Sequence, residues 1–210
     1  MKILFLDNDG VICLSNNWGG RAVKWANFKR DNTDSDATFD NKPVECRFDD
    51  FDGKAVKVLN EILEETGAEI VVSSDWRLHA NLEELGEYYL SQGIIKRPIA
   101  VTDQFKDVFP SEWSGGFRFR ADLELERSME INHWLENHPE VTQWVAVDDL
   151  DMSIKFLGDR FSSKDESDKK PGLTNFVLTP RSREGIKQSG VKEKIIKFLT
   201  NEEHKPNIQD

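Results

Sequence analysis

The stretch "ILFLDNDGVI", residues 3–12, decides which fold this chain can adopt. Four apolar residues lead directly into Asp7, Asn8 and Asp9, and Gly10 follows before the chain becomes apolar again. A short apolar run that ends on polar residues is typical of a buried strand. We therefore expect a strand that brings two carboxylates to one edge of a sheet.

The rest of the chain alternates between predicted strands and predicted helices. Four more short apolar runs predict strands, at residues 69–74, 98–102, 144–147 and 175–179. Helical spacing of apolar residues predicts helices that include residues 53–66, 82–89, 131–135 and 191–199. Asp52 is the expected N-cap of the first of these helices, and Gly67 is its expected C-cap. Continuous apolar strands that alternate with helices predict an α/β fold, a Rossmann-like parallel sheet of about five strands with helices on both faces.

Four segments have a different composition. Residues 13–50 are rich in Asn, Asp and Lys, which predicts an irregular insertion after the first strand, a small cap or flap pinned by aromatic side chains. Residues 103–121 and 159–172 are predicted loops, and residues 201–210 are a predicted disordered tail. We therefore expect residues 1–200 to form a single domain that carries one insertion.

Composition excludes some classes of protein. The 210 residues carry a net charge of -11, and so acidic a surface repels the backbone of long nucleic acids. The two cysteines, Cys13 and Cys46, form no disulfide framework, which predicts reduced thiols in a cytoplasmic protein. No apolar run reaches 18 residues, so we expect no membrane partner.

Polar residues follow the first four predicted strands. The first strand ends on Asp7, Asn8 and Asp9, the second on Ser73, Ser74 and Asp75, the third on Thr102 and Asp103, and the fourth on Asp148 and Asp149. Ligands of parallel sheets bind beyond the carboxyl ends of the strands, so these side chains are expected to gather at one edge. Crowded carboxylates repel each other unless a cation joins them, and hard oxygen ligands favour Mg²⁺ over zinc. Because a carboxylate can also attack phosphorus, the sequence predicts a Mg²⁺ site that serves phosphate chemistry.

These motifs resemble those of the haloacid-dehalogenase-like (HAD) superfamily. "LFLDNDGVI" resembles its first motif, an apolar strand followed by Asp-x-Asp-Gly, while "IVVSS" resembles the second and "VAVDD" the fourth. A narrower likeness rests on "VVSSDWR", "RSMEINHWL" and "WVAVDDLD", which resemble the HAD domains of bacterial and phage RNA-repair proteins. The same segments are similar to the phosphatase half of polynucleotide kinase-phosphatases.

The resemblance implies a catalytic role for four residues. Asp7 would be the nucleophile that forms an aspartyl-phosphate. Asp9 would be the general acid for the leaving group and then the base for the attacking water. Ser73 would hydrogen-bond a phosphoryl oxygen. The superfamily usually adds a lysine before the acidic pair, but residues 107–154 contain none, and Arg127 stands at the matching place. Lys155 is the alternative for this positive charge.

The resemblance also implies binding residues. The substrate would contact Asn8, Gly10, Ser74 and Arg77. The ligands of Mg²⁺ would be Asp7, Asp9, Asp148 and Asp149, with Asp9 contributing its backbone carbonyl. Gly10 would let the chain turn away without blocking the phosphate.

Several assignments leave two interpretations open. A register error of one residue would exchange Ser73 and Ser74. Arg77 would either clamp a substrate phosphate or form a surface ion pair. Trp76 and Trp134 are expected in the core rather than as stacking platforms. In residues 105–120, arginines alternate with aromatics such as Trp113, which suits base stacking, although burial of the aromatics over the sheet is the favoured interpretation.

Three functions are compatible with these residues. The first is a Mg²⁺-dependent phosphatase that acts on a nucleotide or on the terminal phosphate of a nucleic acid. The second is a phosphatase for another small phosphorylated metabolite, and the third is a non-catalytic relative that binds a phosphate or a partner. The complete set of acids argues against the third. A response-regulator receiver also clusters acids, but the order of its acidic residues does not fit. The oligomeric state cannot be inferred from the sequence.

Overall fold

The computed structural model describes residues 1–39, 41–110, 120–156 and 169–200. Its strands are β1 (Lys2–Leu6), β2 (Glu69–Val72), β3 (Ala100–Val101), β4 (Gln143–Asp148), β5 (Ile154–Phe156), β6 (Lys169–Pro171) and β7 (Phe176–Leu178). Five of them form a parallel sheet in the order β3-β2-β1-β4-β7, and β5 pairs with β6 in a separate antiparallel sheet. The predicted parallel sheet of about five strands is confirmed.

The described helices are α1 (Gly20–Asp31), α2 (Gly53–Thr66), α3 (Leu82–Ser91), α4 (Phe105–Val108), α5 (Arg120–Glu136) and α6 (Val191–Thr200). Side chains that alternate along β1 bury both faces of the sheet. Leu4 and Leu6 join one apolar cluster with residues of α2, α3 and α6, while Ile3 and Phe5 join a second cluster with Ile131 of α5. Helices therefore cover both faces, as the continuous apolar strands predict.

The register of the sheet sets the ends of its central strands side by side. Leu6 is paired with Val72 of β2 and with Val147 of β4. One residue further along, the Asp7 N–H donates to the Val147 carbonyl at 3.1 Å, and the Ser73 N–H donates to the Leu6 carbonyl at 2.9 Å. The polar residues that follow the three strands therefore begin at the same level of the sheet.

The predicted caps of α2 are confirmed. The Asp52 carboxylate accepts hydrogen bonds from the N–H groups of Lys54 at 3.0 Å and Ala55 at 2.9 Å. Gly67 ends the helix with a φ of 69°, and its N–H donates to the Leu63 carbonyl.

The prediction of an irregular segment at residues 13–50 was wrong. This insertion contains α1 and a 3₁₀ turn at Val44–Cys46. No residue of α1 is buried, so the helix has no apolar stripe that sequence periodicity could reveal. Its first turn is held by a residue distant in sequence, because the Asp49 carboxylate accepts hydrogen bonds from the N–H groups of Gly19 and Arg21.

Two predicted loops also contain regular structure. Residues 103–121 include α4 and the first residues of α5, and residues 159–172 include β6. A four-residue helix is too short to show a period, and "KKP" lacks the apolar residues that mark a strand. Trp113, the side chain of Lys155 and the predicted tail at residues 201–210 lie outside the described residues.

Two expectations from composition can be compared with the structure. Both cysteines, Cys13 and Cys46, are free and buried. Across the described ranges, none of the helices combines the length and the apolar character needed to cross a lipid bilayer.

The cap of α2 offers a test of the fold. Asp52→Ala removes the acceptor of two backbone N–H groups, so we expect a loss of about 1–2 kcal/mol in the free energy of unfolding. Asp52→Asn keeps a capping oxygen and loses only the charge that faces Lys187 at 3.0 Å, so a loss under about 1 kcal/mol is expected. Urea denaturation of both variants measures the difference, and equal losses would assign the stabilisation to the ion pair instead of the cap.

Candidate active site

A single guanidinium connects the ends of the three central strands. Arg127 of α5 places Nη1 3.3 Å from Asp7 Oδ1 and 3.3 Å from Asp148 Oδ2. The same nitrogen donates a hydrogen bond to the backbone carbonyl of Ser73, and Nη2 donates to Asp75 Oδ1 at 2.8 Å. Arg127, Asp7 and Asp148 are all buried. The arginine therefore lies where the resemblance places the positive charge of the site.

Burial controls the ionisation of this cluster. It raises the pKa of the Asp7 carboxyl well above its usual range; the Asp148 charge raises it further and Arg127 opposes both. Burial raises the pKa of Asp148 as well, again against the effect of Arg127. For Arg127, burial lowers the pKa, but the surrounding carboxylates more than offset this effect and hold the guanidinium in its charged form. The guanidinium of Arg127 thus stabilises the carboxylates of both Asp7 and Asp148, but it does not cancel all of the repulsion between them.

A third carboxylate completes an oxygen-rich cluster. One carboxylate oxygen from each of Asp7, Asp148 and Asp149 lies within 4.8 Å of the others. Asp149 is half-buried, and partial burial raises its pKa. The three carboxylates outnumber the guanidinium groups of Arg127 and of Arg120, whose charge lowers the pKa of Asp149, so an excess of negative charge remains. Hard oxygen donors with this excess suit a small divalent cation such as Mg²⁺.

The predicted general acid lies at the outer side of this cluster. Asp9 is exposed, and its Oδ2 accepts a hydrogen bond from the Trp76 indole N–H at 2.8 Å. Partial loss of hydration raises the pKa of Asp9, while the hydrogen bond from Trp76 and the charge of Arg21 lower it. Trp76 is buried and stacks on Phe48 with ring centroids 4.2 Å apart, so its expected place in the core is correct. Sequence reasoning missed its second role, although a buried indole N–H signals an acceptor nearby.

The two residues that flank Asp9 shape the turn of the chain. Asn8 is buried, and its side-chain oxygen accepts a hydrogen bond from the Tyr89 hydroxyl at 2.6 Å, so its contact with substrate stays a prediction. Gly10 has a φ of 72°, and a Cβ at this position would lie 2.9 Å from Asp149 Cγ. A larger residue is thus excluded where the chain passes the third carboxylate.

Both candidate serines are buried at the end of β2. Ser73 gives its backbone carbonyl to Arg127, and Ser74 gives its own to Arg77 at 2.8 Å. Among the described residues, neither hydroxyl makes a hydrogen bond of good geometry, but the Ser74 hydroxyl lies close enough to the Asp7 carboxyl to lower its pKa. A buried hydroxyl without a partner is unfavourable, so the Ser73 hydroxyl is available to a phosphoryl oxygen, and the contact of either serine with substrate stays a prediction.

Arg77 was expected either to clamp a substrate phosphate or to form a surface ion pair. It does form an ion pair, but the pair is buried. Its Nη2 donates to Glu130 Oε2 at 2.7 Å, and each side chain is only 5% exposed. Glu130 also accepts a hydrogen bond from the Phe105 N–H at 2.7 Å and lies 3.8 Å from Arg127 Nε. A cleft of about 170 Å³ is lined in part by Arg77, Glu130 and Arg127. Substrate contact by Arg77 stays a prediction.

Sequence reasoning did not find three contacts of the site arginines and carboxylates. Asp75 and Glu130 surround Arg127, and Arg120 donates to the backbone carbonyl of Asp149. Asp75 follows Ser73 and Ser74 at the end of the second predicted strand, so its place at this edge of the sheet was expected, but its contact with Arg127 was not. Glu130 lies one helical turn after Arg127, but no sequence pattern shows which charges a helix buries.

The buried pair gives a test of the role of Arg77. Arg77→Met and Glu130→Met each leave an unpaired charge in the interior, so each should cost about 3–5 kcal/mol in unfolding free energy. The double variant should lose much less than the sum of the two, as measured by urea denaturation. Glu61→Gln is the control, because it removes only an exposed pair with Lys192 and should cost under about 1 kcal/mol. Additive losses would show that Arg77 does not stabilise Glu130.

The chain resembles a known protein family over most of its length. The family model described as the HAD domain in Swiss Army Knife RNA repair proteins matches residues 3–190. Neither the comparison with curated proteins nor that with solved structures gives a match. The matched range covers most of the chain and contains every residue of the cluster described above. The chain therefore belongs to the family of HAD domains found in Swiss Army Knife RNA repair proteins.

Proposed function

We propose that this chain is a Mg²⁺-dependent phosphatase that forms an aspartyl-phosphate on Asp7 and removes the terminal phosphate of a nucleotide or of a nucleic acid. Membership of the HAD family supports a phosphatase in general. The observation that carries the proposal is the position of Arg127 Nη1, 3.3 Å from both Asp7 and Asp148. A carboxylate beside a fixed positive charge is suited to approach a phosphate dianion without overwhelming repulsion.

The carboxylates of Asp7, Asp148 and Asp149 would hold the metal, together with the backbone carbonyl of Asp9. Their fit to Mg²⁺ rests on the all-oxygen donor set and on the excess negative charge around Arg127. When bound, Mg²⁺ supplies positive charge that stabilises the phosphoryl oxygens in the transition state.

The reaction divides into two steps. In the first, an oxygen of Asp7 attacks phosphorus, the bond to the leaving oxygen breaks, and Asp9 donates its proton to that oxygen. In the second, Asp9 takes a proton from water as the water attacks phosphorus, which releases inorganic phosphate and restores the Asp7 carboxylate. Trp76 keeps Asp9 oriented through both steps by its 2.8 Å hydrogen bond. Ser73 would donate a hydrogen bond to a phosphoryl oxygen.

Two observations support a nucleotide or the end of a nucleic acid as the substrate class. The family is described by its occurrence in RNA repair proteins. The net charge of -11 disfavours a long nucleic acid, so binding would involve one or two terminal nucleotides. Residues 13–50 are proposed to form the small cap of the domain.

The nucleophile and the metal can be tested in one screen of phosphorylated nucleotides, oligonucleotide ends and sugars. With Mg²⁺, the wild-type chain should release phosphate, and excess chelator should abolish this activity because the carboxylates would then repel the substrate. Asp7→Asn should remain folded and lose essentially all turnover, since the amide keeps the shape of the side chain but not its nucleophilic charge. Full activity in chelator would refute the metal, and phosphate trapped on another residue would refute Asp7.

Arg127 can be tested by two substitutions of different size. Arg127→Ala should lower kcat/KM by roughly two to three orders of magnitude, the effect of removing one preorganised group that stabilises charge. Arg127→Lys keeps a positive charge but loses the planar guanidinium group, which contacts several acceptors at once. It should therefore retain more activity than the alanine variant. Circular dichroism controls for loss of structure. Little effect of Arg127→Ala would move the role to Lys155.

A further inference from the structure

Trp18 is an exposed aromatic residue attached to the loop that carries the proposed general acid. Its indole N–H donates to the Cys13 carbonyl at 3.3 Å, and the same carbonyl accepts the Gly10 N–H at 2.9 Å. Asp9 itself forms an isolated β-bridge with Cys13. The indole therefore lies beside the turn that follows Asp9, yet 50% of Trp18 remains exposed. The mechanism above makes no use of this ring.

Hydrogen bonds to Asp49 and Asp50 hold the chain on both sides of this tryptophan. The Asn17 side chain donates to the Asp50 carbonyl at 3.0 Å, and the Gly19 N–H donates to the Asp49 carboxylate at 3.2 Å. The Tyr88 hydroxyl, on α3, donates to the backbone carbonyl of Asp49 at 3.1 Å. Because its backbone is fixed, the ring would lose little freedom when a ligand stacks on it.

A basic side chain follows Trp18 three residues further along the chain. Arg21, in the first turn of α1, is 60% exposed in its side chain, with Nε 4.0 Å from the Asp49 carboxylate. The charge of Arg21 lowers the pKa of Asp9, so this guanidinium acts on the proposed general acid. An exposed cation and an exposed ring in one short segment form a combination that binds single-stranded nucleic acid, in which the bases stack and the phosphates bind to cations.

We propose that Trp18 and Arg21 bind the leaving group of the reaction, with the terminal base stacked on Trp18 and the next phosphate of an oligonucleotide bound to Arg21. The inference rests on the proposed function, because Asp9 donates its proton to the leaving oxygen and the leaving group must then lie beside Asp9. It assigns a task to the insertion at residues 13–50, which is to recognise the nucleoside that departs. Stacking of one base on an aromatic ring should strengthen the binding of a nucleotide by about 5- to 150-fold over that of the ribose phosphate without the base.

Matched pairs of substrates isolate the contribution of the base. Adenosine 5′-phosphate and adenosine 3′-phosphate are compared with the ribose phosphates that lack the base. Trp18→Ala should lower kcat/KM for the better nucleotide by about 5- to 150-fold and change the corresponding ribose phosphate by less than about twofold. Trp18→Phe keeps an aromatic face and should retain most of the activity. Phe39→Ala is the control, since Phe39 is an exposed aromatic of the same insertion that packs on Lys42.

Three kinetic outcomes would overturn the inference. Equal losses on the nucleotide and on the ribose phosphate would make Trp18 structural, and so would a Trp18→Phe variant as impaired as Trp18→Ala. Wild-type protein that hydrolyses both members of a pair equally well would leave no role for the base. For Arg21, Arg21→Gln should weaken turnover of a terminally phosphorylated dinucleotide more than that of the mononucleotide, because an effect through Asp9 is common to both substrates and the second phosphate is not; equal effects on the two would remove the contact with the second phosphate.

A binding measurement separates this inference from the phosphatase proposal. In the Asp7→Asn background, calorimetry with Mg²⁺ measures the affinity for adenosine monophosphate whether or not the wild-type protein shows any turnover. Adding Trp18→Ala should weaken this binding by about 5- to 150-fold, and adding Phe39→Ala should not. An unchanged affinity overturns the base site, while a weakened affinity in a chain without phosphatase activity supports the site and rejects only the chemistry.

Discussion

The buried guanidinium of Arg127 is the contact on which the arrangement of the site depends. Parallel pairing of β1 with β4 forces Asp7 and Asp148 to the same level of the sheet, where burial raises the pKa of both. Without a cation between them, two such acids could not both ionise. The arginine reaches them because Ile131 and Trp134, four and seven residues further along α5, fix that face of the helix on the sheet, where Trp134 meets Phe5 with ring centroids 5.3 Å apart. The apolar packing of one helix thus sets the charge of the site.

An arginine suits this position better than the lysine usual in the superfamily. Through Nη1, the guanidinium contacts the carboxylates of Asp7 and Asp148 and the backbone carbonyl of Ser73. Through Nη2, it contacts the exposed carboxylate of Asp75. An ammonium is a single point charge and cannot span these acceptors. The arginine is nevertheless only one positive charge. The cluster of Asp7, Asp148 and Asp149 still carries an excess of negative charge, so the arginine and a metal ion have complementary tasks in the proposed function.

Most of the fold could be predicted because its signals are local. The caps of α2, Asp52 and Gly67, lie directly before and after the helix in sequence, and the strand ends could be placed once the sheet was expected to be parallel. The first helix could not be predicted, because Asp49 holds its first turn from 28 residues beyond Arg21 and no buried stripe marks it. In the site, the acids, Asp75 among them, follow the strands in sequence, whereas the contact of Arg127 with Glu130 arises only from packing.

The insertion and Asp9, the proposed general acid, are fixed by the same group of aromatic rings. Phe48, near the end of the insertion, stacks on Trp76, and Trp76 donates its indole N–H to Asp9. The loop that carries Asp9 is joined on its other side to Trp18, near the start of the insertion, through the Cys13 carbonyl. A change in the insertion would therefore alter both the surface beside Asp9 and the orientation of its carboxylate. In the proposed function, recognition of the leaving group and its protonation would therefore be coupled, because both would depend on the anchoring of one segment.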